Sequence, residues 1–255
     1  MTAIPPSFPG RGYRYDLIVV GAGISGSEAA WACARAGLDT LLVTTSMDTV
    51  YTLLGDGVVL RPPGETLMAG LHAGLADGRG YVSSWEFHRR AKYALEHQPG
   101  LHLLQSNVSA LLVAAGRIQG VSTWEGVDRL APKVVLTVGS FLAAKLTIGS
   151  LEEAAGRLSE MAYDDLYDHL LELGFSFKDE RLRAESGADS LPYTVDCKRF
   201  AEAEWDETAF ELTRLEGLYA AGVCAAGYLS YEAAAQQGRR LAQTLINAHQ
   251  AQSGR

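Results

Sequence analysis

The feature that most constrains the fold is a glycine motif, GAGISG at residues 21–26, set between two segments of different character. A short apolar, β-branched run precedes it at residues 15–20, and an Ala-rich run that ends at Gly37 follows it. A second apolar run occupies residues 38–45. Strand, glycine turn, helix and strand in this order predict one βαβ unit with a right-handed crossover.

Each glycine of such a unit has its own task. The first permits a tight turn, the second lets the backbone approach a pyrophosphate, and the third lets the helix pack closely on the strand. The first turn of the helix adds free N–H groups and the positive end of the helix dipole. A glycine turn in an unrelated α/β protein is the less favoured alternative. The motif therefore predicts a dinucleotide site that includes Gly21, Gly23, Ile24, Ser25 and Gly26.

Three further features distinguish between the dinucleotides. An NAD-dependent dehydrogenase usually has an acidic residue at the end of the second strand, whereas here Thr45 and Ser46 end that strand and the first acid is Asp48. Three short strands in residues 101–124 predict a β-meander, which is more typical of the large FAD-binding family. The late segment GLYAAG at residues 217–222 predicts a strand feeding a helix whose N-terminus can face a flavin. FAD is thus the predicted cofactor, and an NAD(P)-dependent dehydrogenase is the least favoured class.

We therefore predict the α/β class, with a Rossmann-type FAD-binding fold whose parallel sheet carries a β-meander crossover, plus a small inserted subdomain. Residues 1–14 are expected to form a flexible leader and residues 15–149 the first part of the FAD-binding domain. Residues 150–214 are predicted to be the insertion, and residues 215–250 the closing strand and helix.

Some segments have a clear expected structure and others do not. Residues 83–97 and 231–248 predict helices, and residues 133–138 predict a buried strand. The insertion is expected to hold one acidic amphipathic helix around residues 159–173, followed by a polar stretch with little periodicity. Residues 51–80 show no period, which is typical of a functional or mobile loop.

The charge balance limits the partners that the chain is expected to bind. Its 255 residues include 22 Lys and Arg and 30 Asp and Glu, for a net charge of −8. Nucleic-acid affinity comes largely from cations that neutralise phosphates, so no stand-alone binding of nucleic acid is expected. No apolar run approaches the roughly 20 residues of a membrane span, and the first fourteen residues lack the apolar core of a signal peptide. We expect a cytoplasmic protein.

The residue types that bind metals or form disulfides are sparse. Cys33, Cys197 and Cys224 are far apart in the sequence, so no disulfide framework is expected. The six histidines show no metal-binding spacing, and no metal site is predicted. Cys224 follows the GLYAAG strand and is either a small packed residue, which we favour, or a redox-active thiol near the flavin.

Longer pieces of the sequence carry a specific resemblance. They are YDLIVVGAGISGSEAA at residues 15–30, KVVLTVGSFLAAKLTIGS at residues 133–150 with GR at 156–157, and GLYAAGVCAAGYLSYEAAAQQG at residues 217–238. These pieces are similar to the glucose-inhibited division protein A family, called GidA or MnmG. Members of that family bind FAD and, with a GTPase partner, modify the wobble uridine of certain tRNAs.

The resemblance implies roles for individual residues. Gly21, Gly23, Ser25 and Gly26 match the pyrophosphate loop. The resemblance further implies a ribose-side stretch, an adenine-side strand and a flavin-facing C-terminal part. The ribose-side residues are Thr45, Ser46 and Asp48, the adenine-side residue is Val108, and the flavin-facing residues are Gly222, Val223 and Glu232. Gly139 follows the family's TxG position. From its position alone, Glu232 is first a residue that complements the helix dipole and second a flavin-side residue.

The chain also departs from the family's pattern. The relatives have a cysteine in an MSCNPAIGG-like loop after the second strand, and residues 51–65 have none. Their KTGTPPR segment is replaced at residues 181–187, residues 150–214 stand where they have a larger inserted domain, and their helical C-terminal domain has no counterpart in this sequence. The resemblance thus implies a short relative that keeps the flavin site and not the tRNA chemistry.

Two functional hypotheses follow from the sequence. The first is an FAD-dependent oxidoreductase-like protein whose substrate is unknown, with NAD(P)H as a candidate reductant. The alternative is a non-catalytic flavin-binding module, or a partner linked to tRNA uridine modification. No residue stands out as catalytic, and the sequence allows a homo-oligomer without specifying one.

Overall fold

The computed structural model describes residues 8–10, 12–162, 164–184 and 192–253. The helices are α1 (Ile24–Arg35), α2 (Leu67–Leu75), α3 (Ser84–Glu96), α4 (Asp165–Glu172), α5 (Val223–Ala226) and α6 (Tyr231–Ser253). The strands of the first half are β1 (Leu17–Val20), β2 (Thr40–Thr44), β3 (Gly57–Val59), β4 (Tyr81–Ser83), β5 (Leu101–Gln105), β6 (Val108–Ala114), β7 (Arg117–Thr123) and β8 (Asp128–Leu130). Those of the second half are β9 (Val134–Leu136), β10 (Lys145–Ile148), β11 (Leu151–Glu153), β12 (Ala155–Arg157), β13 (Glu160–Met161), β14 (Phe177–Ala184), β15 (Tyr193–Phe200) and β16 (Leu218–Ala220).

Five parallel strands form the main sheet, in the order β16-β9-β1-β2-β5. Alternate residues of β1 point to opposite faces and enter two different cores. Leu17 and Val19 pack with α1, α2, α3 and α6 on one face. Ile18 and Val20 pack with the β6–β8 strands and α4 on the other. A parallel sheet covered on both faces is the Rossmann-type arrangement, so the predicted fold class is confirmed.

The contact between α1 and α6 brings the N-terminal and C-terminal parts of the fold together. A Cβ added at Gly238 would lie 2.4 Å from the Ser25 carbonyl oxygen, so only glycine allows α6 to approach α1 this closely. The Ser25 hydroxyl also donates a hydrogen bond to the Ala234 carbonyl, at 3.0 Å. This contact fixes the start of α1, and with it the glycine motif, against the last helix.

The predicted β-meander is present, but its membership differs from the expectation. The first predicted strand, β5, pairs in parallel with β2 and belongs to the main sheet. The antiparallel meander consists of β6, β7 and β8, and β8 had not been predicted. The strand β5 follows α3 in a second βαβ unit, and this crossover places it parallel to β2.

Residues 51–80, which show no sequence period, contain regular structure. The strand β3 pairs antiparallel with β4, which directly follows the segment, and α2 lies between the two strands in the sequence. The N-terminus of α2 is capped by the Thr66 hydroxyl, which accepts a hydrogen bond from Ala69 N at 3.0 Å. The expectation of a loop was wrong because short elements leave too few residues for a period to show.

The segment predicted as an insertion is richer in strands than expected. Its acidic helix is the short α4, and the polar stretch after it is the hairpin β14–β15, paired over eight residues on each strand. The hairpin joins β10 and β11 in a second sheet, of order β11-β10-β15-β14. This second sheet begins at Lys145, before the predicted start at residue 150. The division of the chain into separate domains stays a prediction.

The described part of the predicted leader contacts the main fold, while residues 1–7 and 11 lie outside the described residues. The Phe8 ring lies 5.7 Å from the His102 ring, and the guanidinium of Arg129 lies over it at 5.1 Å. Flexibility of the leader stays a prediction. Across the described ranges, no helix combines the length and the apolar composition that a membrane crossing requires.

Candidate functional site

A cavity of about 330 Å³ lies where β1, β2 and β9 end and the second sheet begins. In open parallel sheets, ligands bind at the carboxyl ends of the strands, and this volume falls within the roughly 300–1,000 Å³ of small-molecule sites. The main sheet supplies one wall through Gly21, Thr44 and Val138. The second sheet supplies the opposite wall through Leu182 and Tyr193.

Gly21 and Gly23 of the glycine motif line this cavity, and each glycine of the motif has a distinct role. Gly21 has a φ of +106°, and a Cβ on it would lie 2.3 Å from the Thr137 carbonyl oxygen. A Cβ on Gly26 would lie 2.0 Å from the Gly21 carbonyl oxygen. Gly23 lines the cavity and has open space where its Cβ would be. The first and third glycines therefore serve packing, and the second leaves room for a ligand.

The start of α1 suits the pyrophosphate of a dinucleotide. Its N-cap residue is Gly23, and no side chain makes the usual capping hydrogen bond there. The first N–H groups of a helix need acceptors, and the helix dipole favours an anion at this end. The Thr137 hydroxyl holds the loop in place through its contacts with the Val20 and Gly21 carbonyls, at 3.0 and 2.9 Å. These residues fit the group that the motif predicts.

The predicted ribose and adenine side is only partly assembled around the cavity. Thr45 and Val108 line it, together with Ser106 and Asn107 after β5 and Thr49 of the 3-10 turn that follows β2. Ser46 instead caps the short 3-10 turn Met47–Thr49 by accepting a hydrogen bond from Asp48 N. Asp48 lines a shallow groove beside α3. Cofactor contacts of Ser46 and Asp48 stay predictions.

The predicted flavin side shows the same division. Val223 lines the cavity, and so do Tyr228 and Gly139, the residue that follows the TxG position. Gly222 has a φ of +77°, and its N–H donates to Gln237 Oε1 at 2.6 Å. Glu232 accepts a hydrogen bond from Arg61 N at 3.1 Å, so its carboxylate contacts a loop. Among the first residues of α1, Ile24 and Ser25 are buried in the core rather than lining the cavity.

Several residues at the cavity were not predicted from the sequence. They are Leu54, Phe141, Arg157, Glu160 and Tyr193. Arg157 and Glu160 form an ion pair within the cavity wall, with side-chain exposures of 23% and 15%. Tertiary contacts bring these residues together from the 51–61 segment, the loop after β9, the β12–β13 pair and the second sheet. The available signals were the GR at residues 156–157 and Phe141 in the 133–150 piece, because both belong to the resemblance.

Comparison with known proteins identifies the group of proteins to which this fold belongs. The sequence profile described as "Glucose inhibited division protein A" matches residues 16–55 and 73–184. These two stretches make up more than half of the chain and include the glycine motif and the β6–β9 segment. The chain belongs to the GidA family.

Curated relatives in the GidA family are considerably longer than this chain. The tRNA uridine 5-carboxymethylaminomethyl modification enzyme MnmG of Chlamydia trachomatis serovar A is 31% identical over 229 residues, which is 79% of the chain and 37% of that protein. The MnmG of Chlamydia caviae is 34% identical over 210 residues, 72% of the chain and 34% of that protein. The chain thus spans just over a third of the length of these relatives.

Solved structures of the GidA family share the fold. The GidA-related protein from Thermus thermophilus has a TM-score of 0.82 and 39% identity, over 92% of this chain and 99% of that one. GidA from Aquifex aeolicus has a TM-score of 0.80 and 16% identity, over 93% of this chain and 64% of that one. An oxidoreductase from Agrobacterium tumefaciens, with a TM-score of 0.59 and 12% identity over 94% and 99% of the two chains, shares the fold alone.

The thiols of this GidA-family chain are packed rather than activated. Cys224 is fully buried, its Sγ donates to the Ala221 carbonyl at 3.3 Å, and burial raises its pKa to about 12. Burial likewise raises the pKa of Cys33 and of Cys197 to about 12. A thiol reacts as the thiolate, which a raised pKa disfavours. The geometry therefore favours a packing role for Cys224.

Proposed function

We propose that the chain binds FAD in the cavity above the glycine motif and acts as an FAD-dependent oxidoreductase-like protein. One observation carries the proposal: a single cavity joins the glycine motif to the adenine-side strand ends and to Val223 and Tyr228. An extended dinucleotide with a ring system at one end matches a cavity of this kind. The family membership and the fold of the structural neighbours support the same cofactor.

The residues around the cavity suit a cofactor that does the redox chemistry itself. When bound, FAD supplies an acceptor for a hydride or for electrons. The chain's own contribution is to bind the pyrophosphate at Gly23 and to exclude water with apolar walls, to which Leu54, Phe141 and Leu182 belong. Arg157 and Glu160 are the charged pair in that wall.

Catalytic residues stay unassigned in this proposal. Among the described residues that line the cavity there is no histidine, cysteine or lysine, so few side chains of those residues could transfer a proton near pH 7. This observation favours the second candidate function, a flavin-binding module without catalysis of its own. A link to tRNA uridine modification belongs to that candidate and rests on the relatives.

The cofactor can be identified directly on the purified protein. We expect a yellow protein whose heat denaturation releases FAD, and an apoprotein whose thermal stability rises with FAD and not with NAD. Stabilisation by NAD alone, with colourless protein, would contradict both flavin hypotheses and favour a dehydrogenase.

The same preparation separates the enzyme from the module. Under anaerobic conditions, NADH or NADPH is expected to bleach the flavin absorbance of an active reductase. Two negative results on FAD-bound protein would favour the binding module. Neither NADH nor NADPH would bleach the flavin, and the dithionite-reduced protein would pass electrons to no acceptor tested. The size of the native particle, measured by light scattering, tests whether the protein forms the homo-oligomer that the sequence allows.

A cytoplasmic location is also part of the proposal. Its support is chemical, because Cys33, Cys197 and Cys224 are all free thiols in the fold. Free cysteines are typical of proteins kept in a reducing compartment.

A further inference from the structure

The segment Tyr51–Arg61, which we call the strap, runs from the glycine motif to the first turn of α6. At its start the Tyr51 N–H donates to the Ala22 carbonyl of the glycine motif, at 2.8 Å. Tyr51 has a φ of +54°, which a non-glycine residue adopts only when its surroundings hold it. The strap is therefore fixed to the cofactor loop at one end.

The strap places one side chain in the cavity wall. Leu54 lines the cavity and is half-buried. Gly55, with a φ of +73°, turns the chain immediately after it. The cavity is thus closed on this side by an apolar residue whose position depends on how the strap is held.

Two side chains at the start of α6 hold the strap from the other side. The Leu54 N–H donates to the hydroxyl of Tyr231 at 2.9 Å, and the Arg61 N–H donates to Glu232 Oε1 at 3.1 Å. These bonds join residues 177 and 171 positions apart in the sequence. Tyr231 itself does not line the cavity, whereas Tyr228 does. Tyr231 therefore acts on the cavity through Leu54.

We infer that Tyr231 is a positioning residue for the proposed FAD site: its hydroxyl fixes the strap so that Leu54 closes the cavity over the bound cofactor. The inference rests on the proposed FAD function. Glu232 plays the same part for the far end of the strap. Direct flavin contact of Glu232 stays a prediction.

The decisive variant is Tyr231→Phe, which keeps the ring and removes only the oxygen that Leu54 N–H contacts. We expect FAD to dissociate from it about tenfold faster than from the wild type, because the part-buried Leu54 N–H loses its acceptor and the strap is held less firmly. Dissociation is followed as the rise in flavin fluorescence after dilution. Tyr93→Phe, at an exposed tyrosine of α3, is the matched control and is expected to leave the rate unchanged.

A double-mutant cycle tests whether Tyr231 acts through Leu54. Leu54→Ala is expected to raise the dissociation rate as well, since it removes the wall. If the two residues work as a unit, the double variant will dissociate no faster than the more severe single variant, within about twofold. Rates that multiply would show that Tyr231 acts independently of Leu54 and would overturn the inference.

A readout without cofactor completes the test. In the apoprotein, Tyr231→Phe is expected to speed hydrogen exchange of the Leu54 amide about tenfold, with a melting temperature equal to that of Tyr93→Phe. Glu232→Gln, which retains an acceptor oxygen, is expected to behave as the wild type, whereas Glu232→Ala releases FAD faster.

Failure of the inference and failure of the proposed function have different signatures. If the wild type binds FAD and Tyr231→Phe releases it no faster than Tyr93→Phe, the positioning role alone is wrong. If the wild-type apoprotein takes up no FAD, the proposed function is wrong and the inference falls with it.

Discussion

Glu28 is an acidic residue of α1 whose side chain lies in the core, where it is 1% exposed. Its Oε1 accepts hydrogen bonds from the Tyr51 hydroxyl and from Met68 N, and its Oε2 accepts one from Leu67 N. It therefore joins α1 to the strap and to the start of α2. Burial raises the pKa of Glu28, and the three hydrogen bonds lower it by less.

Replacing Glu28 is expected to destabilise the fold in proportion to the number of hydrogen-bond donors that lose their acceptor. Glu28→Gln keeps one acceptor oxygen and should lower the free energy of unfolding by about 1–2 kcal/mol. Glu28→Ala leaves three unpaired donors beside a void and should cost about 3 kcal/mol or more. Urea unfolding measures both, with the exposed Glu96→Gln as a control expected within about 0.5 kcal/mol. Equal stability of all three variants would contradict this role.

The raised pKa of Glu28 also predicts a pH dependence. The folded state holds the proton more tightly than the unfolded chain, whose carboxyl titrates near its ordinary value of 4.5. The stability from this group is fully present below that value and is lost as pH rises through the folded-state pKa. We therefore expect the wild type to lose stability relative to Glu28→Gln as pH rises from 4.5. A difference that grows in the opposite direction would show that the pKa of Glu28 is lowered instead.

Alanine substitutions at two glycines of the motif are expected to affect different properties, FAD affinity at one position and stability at the other. Gly23→Ala has space for its methyl group but places it in the cavity, so the apoprotein should melt normally while FAD affinity falls at least about tenfold. Gly26→Ala forces a Cβ against the Gly21 carbonyl and should lose stability as well, by about 2 kcal/mol or more. Thermal melting and flavin titration separate the two effects. If Gly23→Ala binds FAD as tightly as the wild type, the pyrophosphate does not bind at this loop.

At the scale of elements, the sequence predicts what local periodicity encodes. The strands β1, β2, β9 and β16 and the helices α1, α3 and α6 were predictable because each has a continuous apolar pattern or a clear cap. The hairpin β14–β15 was missed because its residues are polar and are stabilised across the strands, as in the pair Arg181–Asp196. Cavity residues such as Leu54 and Arg157 come from segments without a period. Only tertiary contacts bring them to the site.

The hairpin β14–β15 is joined to the segment before β16 by a buried carboxylate. Glu204, 5% exposed, accepts hydrogen bonds from Ser176 N, the Ser176 hydroxyl and the Arg214 guanidinium. The hydrogen bond from Arg214 is the largest cause of the lowered pKa of Glu204. This cluster connects the start of β14 to the segment that precedes β16.

Removing the arginine is expected to weaken this connection. Arg214→Met should lower the free energy of unfolding by about 1–3 kcal/mol, because Glu204 keeps its charge in a buried position. Arg117→Met breaks the exposed pair with Glu216 and should cost under about 1 kcal/mol. Since the pKa of Glu204 is lowered, its contribution is present above the unfolded value of 4.5 and is lost as pH falls through the folded value. The gap between the wild type and Arg214→Met should therefore narrow in acid, and a constant gap would contradict the mechanism.

At the scale of the whole molecule, the net charge disfavours binding of RNA by the chain alone. The net charge is −8, and several of the basic side chains in the described residues are paired with acids of the same chain. Arg89 and Arg90 both contact Glu86, at 3.0 and 2.9 Å. Lys198 contacts Asp179, and Arg239 contacts Glu65. Each such pair removes a cation that would otherwise neutralise a phosphate.

We therefore expect no retardation of tRNA by this chain alone in a gel, at protein concentrations up to about 10 µM and about 0.15 M salt. Glu86→Gln frees the guanidinium groups of Arg89 and Arg90 and serves as the sensitised comparison, with a shift expected only at lower salt. A wild-type shift that persists at about 0.15 M salt would contradict the prediction, and Arg89→Ala with Arg90→Ala would then show whether α3 is the contact. If a shift appears only when a partner protein is added, and is larger than the shift that this partner gives alone, the chain contacts RNA only within a complex.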